Sequence, residues 1–351
     1  MLTAATPPEW AAFLTGDAPY RLVAGDALAC LRTLPEASVD MAITSPPYWR
    51  QRRYDDPAAL GSEASVREYV AALLPIFAEV RRVLKPTGSL WLNLGDVYAH
   101  KGLCGIPWRV ALALQDEQGW ILRNEVIWHK LKGGPDQARD KLRNVHEQLF
   151  HFVRSARPYY DDAAIRNPPR PTTTVAGGIV TATGVSGVRY RRQIQRSTAL
   201  TAAERAAALA RLDATLARVA AGELFDFRMV IRGQQRVTHS DSTSISGRAT
   251  ELARDGFYIL PYDKRGSKPG DVWGIVPEDR WRRDTHSAPF PEELCDLPIL
   301  ATCPPGGLVL DPFVGTGTAV VAAVRRGRRG IGIDLSAGYL QTALDRLAGA
   351  G

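Results

Sequence analysis

The chain has 351 residues, with 44 Lys+Arg against 37 Asp+Glu and a formal net charge of +7. Hydrophobic residues make up 45%, enough to bury a sizeable core, which excludes a mostly disordered polymer. No run approaches the roughly 18 apolar residues of a membrane span, the N-terminus lacks a signal peptide's basic start and apolar run, and Cys30, Cys104, Cys295 and Cys303 match no zinc-finger spacing, so the expectation is a cytoplasmic protein with free thiols and no metal.

In chain order, Val39-Asp40-Met41-Ala42-Ile43-Thr44 is short, apolar and bounded by turn residues, and predicts a buried strand. A helix is expected over Val66–Leu84, then a Pro86-Thr87-Gly88 turn and a strand over Ser89–Leu94. Val126–Trp128 and Leu149–Val153 read as third and fourth strands. Residues 167–188, rich in Thr, Gly and Val and broken by Pro168, Pro169 and Pro171, read as a long loop. Thr201–Ala221 carries Leu209, Leu212, Leu216 and Val219 at helical spacing, with Thr201 and Glu204 as a capping box and Gly222 as the stop. Near the end, Leu308–Leu310 and Gly330–Ile333 bracket an Ala/Val-rich helix over Thr318–Arg326. No internal repeat at solenoid spacing is present. Strands alternating with helices predict an α/β fold, a mostly parallel sheet with helices on both faces. Such sheets bind ligands at the carboxyl ends of their strands.

The charge is unevenly distributed. Residues 166–270 hold 17 Lys+Arg and 8 Asp+Glu, a balance of +9, which leaves −2 for the rest. This segment is the natural candidate for contact with a polyanion.

Two loops carry chemistry. Asp311-Pro312-Phe313-Val314-Gly315-Thr316-Gly317-Thr318 joins a strand to a helix, where glycines allow close backbone approach and the helix N-terminus favours a negative group. Asp334 ends the next strand, where it is positioned to accept from ribose hydroxyls. No Lys follows the glycines as a phosphate-binding loop requires, and the third glycine of the dinucleotide fingerprint is missing. The second loop, Ser45-Pro46-Pro47-Tyr48, directly follows the first strand. Its prolines remove two N–H donors and leave carbonyl acceptors, Ser45 adds a hydroxyl, and Tyr48 offers a stacking face.

Taken together, these loops resemble those of the amino-group DNA methyltransferases, which use S-adenosylmethionine on cytosine N4 or adenine N6. Asp311–Thr318 matches the family's cofactor motif and Ser45–Tyr48 its catalytic motif, and their order, 266 residues apart with the catalytic loop first, resembles the permuted β class. The resemblance implies a Rossmann-like methyltransferase fold in two halves, 1–165 (catalytic) and 271–351 (cofactor-binding), around a target-recognition region at 166–270. It assigns catalysis to Ser45, Pro46, Pro47 and Tyr48, and cofactor binding to Asp311, Pro312, Phe313, Gly315, Thr316, Gly317, Thr318, Asp334, Asp26 and Phe290. Candidates for DNA contact are Arg52, Arg53, Arg228, Arg232, Arg236, Lys264, Arg265 and Lys268. Asn93-Leu94-Gly95-Asp96 resembles a cofactor-side loop, and His129-Lys130 either faces the base or ends a strand. Val314 and Gly338 depart from the family's usual residues without removing a group needed for chemistry.

The implied reaction is in-line attack of an amino nitrogen on the sulfonium methyl, with Ser45 and the Pro46 carbonyl accepting the amino hydrogens and Tyr48 stacking on a base flipped out of the duplex. The chain has no Pro-Cys dipeptide, which disfavours cytosine-C5 chemistry. Within the family Ser at the first position goes mostly with cytosine N4, so N4-methylcytosine is the expected product. Adenine N6 is the alternative, and a non-catalytic DNA-binding protein or a methyltransferase of RNA or protein amides is less favoured. The expected partner is double-stranded DNA at the nucleoid, with no membrane; a homodimer and a cognate restriction endonuclease stay open.

Overall fold

The structure is a computed structural model that describes residues 7–51, 60–132, 138–168, 173–175, 178–180, 187–224, 226–233, 247–262, 265–277 and 290–349. The chain divides into two compact units, Met1–Ile165 with Gly270–Gly351, and Arg166–Pro269.

Helix α1 (Pro7–Thr15) leads to β1 (Tyr20–Ala24), α2 (Ala27–Thr33), β2 (Val39–Thr44), α3 (Val66–Val83) and β3 (Leu84–Leu94). A small hairpin of β4 (Tyr98–Ala99) and β5 (Gly102–Leu103) precedes α4 (Ile106–Gln118), β6 (Ile121–Lys130) and β7 (His146–Val153). The second unit holds β8 (Thr173–Val175), β9 (Gly178–Val180), α5 (Gly187–Arg196), α6 (Ala202–Ala220), β10 (Phe227–Ile231), α7 (Gly247–Asp255) and β11 (Phe257–Pro261). The first unit resumes with β12 (Val272–Ile275), α8 (Glu293–Thr302), β13 (Leu308–Asp311), α9 (Thr318–Arg325), β14 (Arg329–Asp334) and α10 (Ala337–Ala348).

The main sheet runs β1-β14-β13-β2-β3-β7-β6-β12. Pairing is parallel from β1 through β3 and between β6 and β12, and antiparallel where β7 meets β3 and β6. The predicted mostly parallel sheet is therefore present. Because β7 is reversed, its amino end and the carboxyl end of β6 lie at the same edge as the carboxyl ends of β2, β3, β13 and β14. His129 pairs with His146, and Gln148 with Leu94. Alternation sends successive side chains to opposite faces. Ala42, Leu308 and Leu310 join the core under α1–α4 with Leu31, Tyr69, Leu73 and Phe77, whereas Met41, Ile43 and Val309 join a core with Ile299, Ala319 and Ala322 of α8 and α9.

Two local expectations are corrected. The Pro86-Thr87-Gly88 segment is not a separate turn: β3 begins at Leu84, paired to Val39, and a register irregularity between Val39 and Met41 absorbs it, with Pro86 exposed where its missing N–H costs no ladder bond. The 167–188 segment is not wholly loop, since Thr173–Val175 and Gly178–Val180 pair as an antiparallel ribbon and α5 starts at Gly187. The capping box of α6 is as predicted: Thr201 Oγ1 accepts from Glu204 N (3.2 Å), and Glu204 accepts from Thr201 N (2.7 Å). The second unit has its own core, in which Tyr190 and Ile194 of α5 and Leu212 of α6 pack on Phe227, Met229 and Ile231 of β10. All four cysteines are free, and among the described residues no helix is long and apolar enough to cross a membrane.

Candidate active site

Strands β2 and β13 are neighbours, with Met41 opposite Val309 and Ala42 opposite Leu310. Two loops remote in sequence therefore leave the sheet side by side. They are joined by Thr44 Oγ1, which donates to Asp311 Oδ1 at 2.6 Å across 267 residues of chain. Phe313 N donates to the same oxygen at 3.0 Å, while Asp311 Oδ2 is buried with no hydrogen-bond partner.

Beyond Asp311 the chain turns through Gly315 (φ 51°) and Gly317 (φ 89°), the latter capping α9 in the left-handed region. The two glycines do different work. A Cβ on Gly317 would lie 2.7 Å from that of Ala343, so the packing of α10 by itself requires glycine here. Gly315 N is held by Asp334 Oδ2 (2.9 Å), and Asp334 Oδ1 accepts from Ser336 N (2.8 Å). Asp334 thus secures the glycine loop, a task beyond its expected role toward ribose hydroxyls. Behind the loop, the buried Arg346 of α10 donates to Thr316 O (2.7 Å), Thr318 Oγ1 (3.1 Å) and Glu292 (2.8 Å). No sequence motif marked Arg346.

Asp26 joins this edge because β1 pairs with β14. Gly25 N donates to Asp334 O (3.0 Å), while the Asp26 carboxylate caps α2 through Ala29 N (2.8 Å). Leu335, next to Asp334, is 68% exposed and offers an apolar surface there. Phe290 is half-buried against the core that contains Met41 and Val309. Pro312, Thr316 and Thr318 are buried, and Phe313 is half-buried.

On the other side of β2, the Ser45–Tyr48 loop meets the ends of β3, β6 and β7. Tyr48 OH donates to Glu147 Oε2 at 2.7 Å and accepts from Asn93 Nδ2 (2.9 Å) and Ser45 Oγ (3.1 Å). Asn93 Nδ2 also donates to Glu147 Oε2 at 2.7 Å, and Lys130 Nζ is paired with Glu147 Oε1. Tyr69 OH donates to Pro47 O at 2.8 Å and fixes the loop from below. A Cβ on Gly95 would lie 2.7 Å from Tyr48 Cε2, so the missing side chain makes room for the ring. Burial, then the neighbouring Glu147, pushes the Tyr48 phenol well above its usual range, so it stays a donor. Glu147, like Arg346, is a residue that motif reading missed. The available signal was a carboxylate at the head of an apolar strand, where it is buried.

The basic candidates separate. Arg228, Arg265 and Lys268 are exposed. Arg232 is corrected: its guanidinium donates to Ala199 O (3.0 and 3.1 Å), Ala253 O (3.0 Å) and both oxygens of Glu204 (2.7 Å), so it holds the second unit together instead of facing a ligand. Arg52, Arg53, Arg236 and Lys264, together with the 286–289 part of the segment before Phe290, lie outside the described residues.

Residues 39–182 and 223–345 match the family described as DNA methylase, which covers N6 and N4 enzymes. The chain belongs to the DNA methylase family. This methylase is 31% identical to the type II methyltransferase M.SfiI of Streptomyces fimbriatus, over 92% of this chain and 89% of that protein. It is 29% identical to the type II methyltransferase M.XycI of Xanthomonas campestris pv. cyanopsidis, over 93% and 87%. Its fold is that of the solved PvuII DNA methyltransferase (cytosine-N4-specific), with a TM-score of 0.57 at 17% identity over 94% of this chain and 86% of that one.

The family's methyl donor is S-adenosylmethionine, and the residues present fit it: an unpaired buried carboxylate oxygen on Asp311, two glycines at positive φ, and acidic residues at the ends of β13 and β14. Asp311, Phe313, Gly315 and Asp334 of the methylase would hold it, and when bound it supplies a methyl group activated on a sulfonium.

The free methylase carries a measurable mark of this arrangement. Burial pushes the Asp311 carboxyl up to about 7, and burial also raises Asp334. A carboxyl raised in the folded state favours folding while it is protonated, and that contribution is lost as pH rises from the ordinary carboxylate range to about 7. The melting temperature of the ligand-free protein is therefore expected to fall between about pH 4 and 7 through this group and to level off above. Asp311→Asn should flatten that part of a calorimetric pH series. An equal slope in the variant would remove Asp311 as its source.

Proposed function

We propose that this DNA methylase transfers a methyl group to the exocyclic N4 of cytosine in duplex DNA, at a specific site read by the basic 166–270 segment. The reading rests on the side-by-side exit of the two loops, joined by the 2.6 Å Thr44–Asp311 bond, with a serine and no carboxylate at the head of the catalytic loop. An amino nitrogen conjugated with a base ring is a poor nucleophile until acceptors draw its hydrogens out of the ring plane. Ser45 Oγ and the Pro46 carbonyl are the acceptors for this, and Pro46 and Pro47 bring no N–H to compete. Tyr48, anchored at its hydroxyl, presents a fixed ring to the flipped base. Positioning of this kind is worth roughly 7–11 kcal/mol in well-oriented systems.

The type II designation of the relatives supports a modification enzyme that works in the cytoplasm beside a cognate restriction endonuclease. The test is transfer of labelled methyl from S-adenosylmethionine to duplex DNA, followed by digestion to nucleosides. Label in N4-methylcytosine is expected. Label in N6-methyladenine assigns the alternative base, and no transfer to duplex DNA overturns the reading.

A further inference from the structure

We infer that Glu147 sets the direction of hydrogen bonding through Tyr48, so that Ser45 faces the target base as an acceptor and never as a donor. The inference rests on the proposed role of Ser45 toward an amino group, and it gives Glu147 the part of a positioning residue acting through two others.

A serine hydroxyl has one hydrogen and two acceptor sites, and nothing in the residue itself decides which it presents. The surroundings decide it here. Glu147 as a carboxylate only accepts. Its Oε2 lies 2.7 Å from both Tyr48 OH and Asn93 Nδ2, and its Oε1 is taken by Lys130. The contact with Glu147 fixes the Asn93 amide, since its other orientation would set carbonyl oxygen against carboxylate. The amide hydrogens then point chiefly to Glu147 and Tyr48, with a longer 3.5 Å contact to Ser45 Oγ, and the Asn93 carbonyl oxygen is left buried without a partner. Leaving a buried carbonyl unpaired is costly, which indicates how strongly the carboxylate dictates the arrangement. The Tyr48 oxygen accepts from Asn93 at 2.9 Å, and its own hydrogen is committed to Glu147, so the remaining acceptor site is open to Ser45 at 3.1 Å. The Ser45 hydrogen goes there; one lone pair meets the long 3.5 Å contact from Asn93 Nδ2, and the other is left for the ligand.

The chemical consequence is selectivity for functional groups. A site whose hydroxyl only accepts takes an amino group, which donates, and rejects a keto oxygen at the same position. This is the distinction between cytosine and uracil, or between adenine and hypoxanthine. Lys130 completes the device by holding Oε1. In Glu147→Gln it retains the side-chain carbonyl, so the amide NH2 faces Tyr48. The phenol must then accept from it, and Asn93, no longer held by a carboxylate, turns its carbonyl to that NH2; the phenol hydrogen is then divided between Asn93 and Ser45, and the serine hydroxyl is no longer confined to accepting.

The test uses the full-length enzyme on duplexes carrying its own site, once sequencing of methylated host DNA has established that site and the base modified. Glu147→Gln is expected to lower kcat up to about a hundredfold, the upper end of the cost of leaving the amino hydrogens of the base unpaired in the site. The same variant should bind a duplex with the keto analogue at the target position (uracil for cytosine, hypoxanthine for adenine) at least about tenfold better, relative to the natural duplex, than the unmutated enzyme does. Tyr48→Phe cuts the chain without inverting it, and is expected to cost about tenfold. Adding Glu147→Gln in that background should cost less than a further threefold. Retained binding of S-adenosylmethionine by calorimetry certifies the fold of each variant. A full hundredfold loss from Glu147→Gln in the Tyr48→Phe background, or an unchanged amino-to-keto preference, overturns the inference. Failure of the proposed function reads out separately, in the methylated base that the unmutated enzyme makes.

Discussion

Tyr48→Ala is expected to cut methyl transfer about a thousandfold or more while duplex binding changes less than fivefold. Loss of the stacking face removes about 1–3 kcal/mol of base contact. Loss of the hydroxyl also frees the Ser45 hydrogen, and the Pro46–Tyr48 turn loses its anchor on Glu147 and Asn93. These losses act on the oriented encounter and not on backbone contacts with DNA, so they fall on kcat. The Lys130–Glu147 pair survives the substitution, so the interior is not left with a lone charge and unfolding should ease by only about 2 kcal/mol. Initial rates at saturating S-adenosylmethionine, set beside fluorescence anisotropy with labelled duplex, provide the check. Parallel loss of both would mean that Tyr48 supports the fold or the duplex instead of the reaction.

The second large effect lies in the other unit. Joint substitution of the exposed Arg228, Arg265 and Lys268 by alanine is expected to weaken duplex binding about a hundredfold near 0.1 M salt. Each phosphate contact contributes about 0.9 to the slope of log affinity against log salt, so three contacts flatten it by about 2.7. Arg232→Ala behaves differently. Its guanidinium ties α6, the end of α7 and Ala199 together, so its removal should lower the stability of the Arg166–Pro269 unit first and affect DNA through that loss. An unchanged salt slope in the triple variant would move the DNA contact out of this unit, with the assignment of the chemistry untouched.

Much of the candidate site was legible because its loops are contiguous in sequence. Ser45–Tyr48 and Asp311–Thr318 are runs whose residue types state their chemistry, and the apolar strand before each located them at sheet ends. Glu147 was not legible in that way, and Lys130, read as facing the base or ending a strand, ends β6 and pairs with Glu147. They reach Tyr48 only because β7 runs antiparallel between β3 and β6, and no local pattern announces which strand of a sheet is reversed. Asn93 lay between, a polar residue flanked by Leu92 and Leu94 in a buried strand, where a hydrogen-bonding duty is the usual reason for its type. Arg232 misled for the opposite reason: charge in a basic segment says nothing of which arginine the fold consumes for itself.

The position of β13 bears on how the protein is made. This strand sits between β14 and β2, yet Asp311 leaves the ribosome 267 residues after its partner Thr44, roughly 15–50 s later at ordinary elongation rates. Through that interval β2 has no neighbour on one side and exposes an apolar edge, the kind of edge that invites pairing with other chains. The nascent polypeptide also carries its Ser45–Tyr48 loop complete but without the strand that sets the Asp311–Thr318 loop beside it. Fragments released before Asp311 is made lack the Thr44–Asp311 bond that joins the two loops.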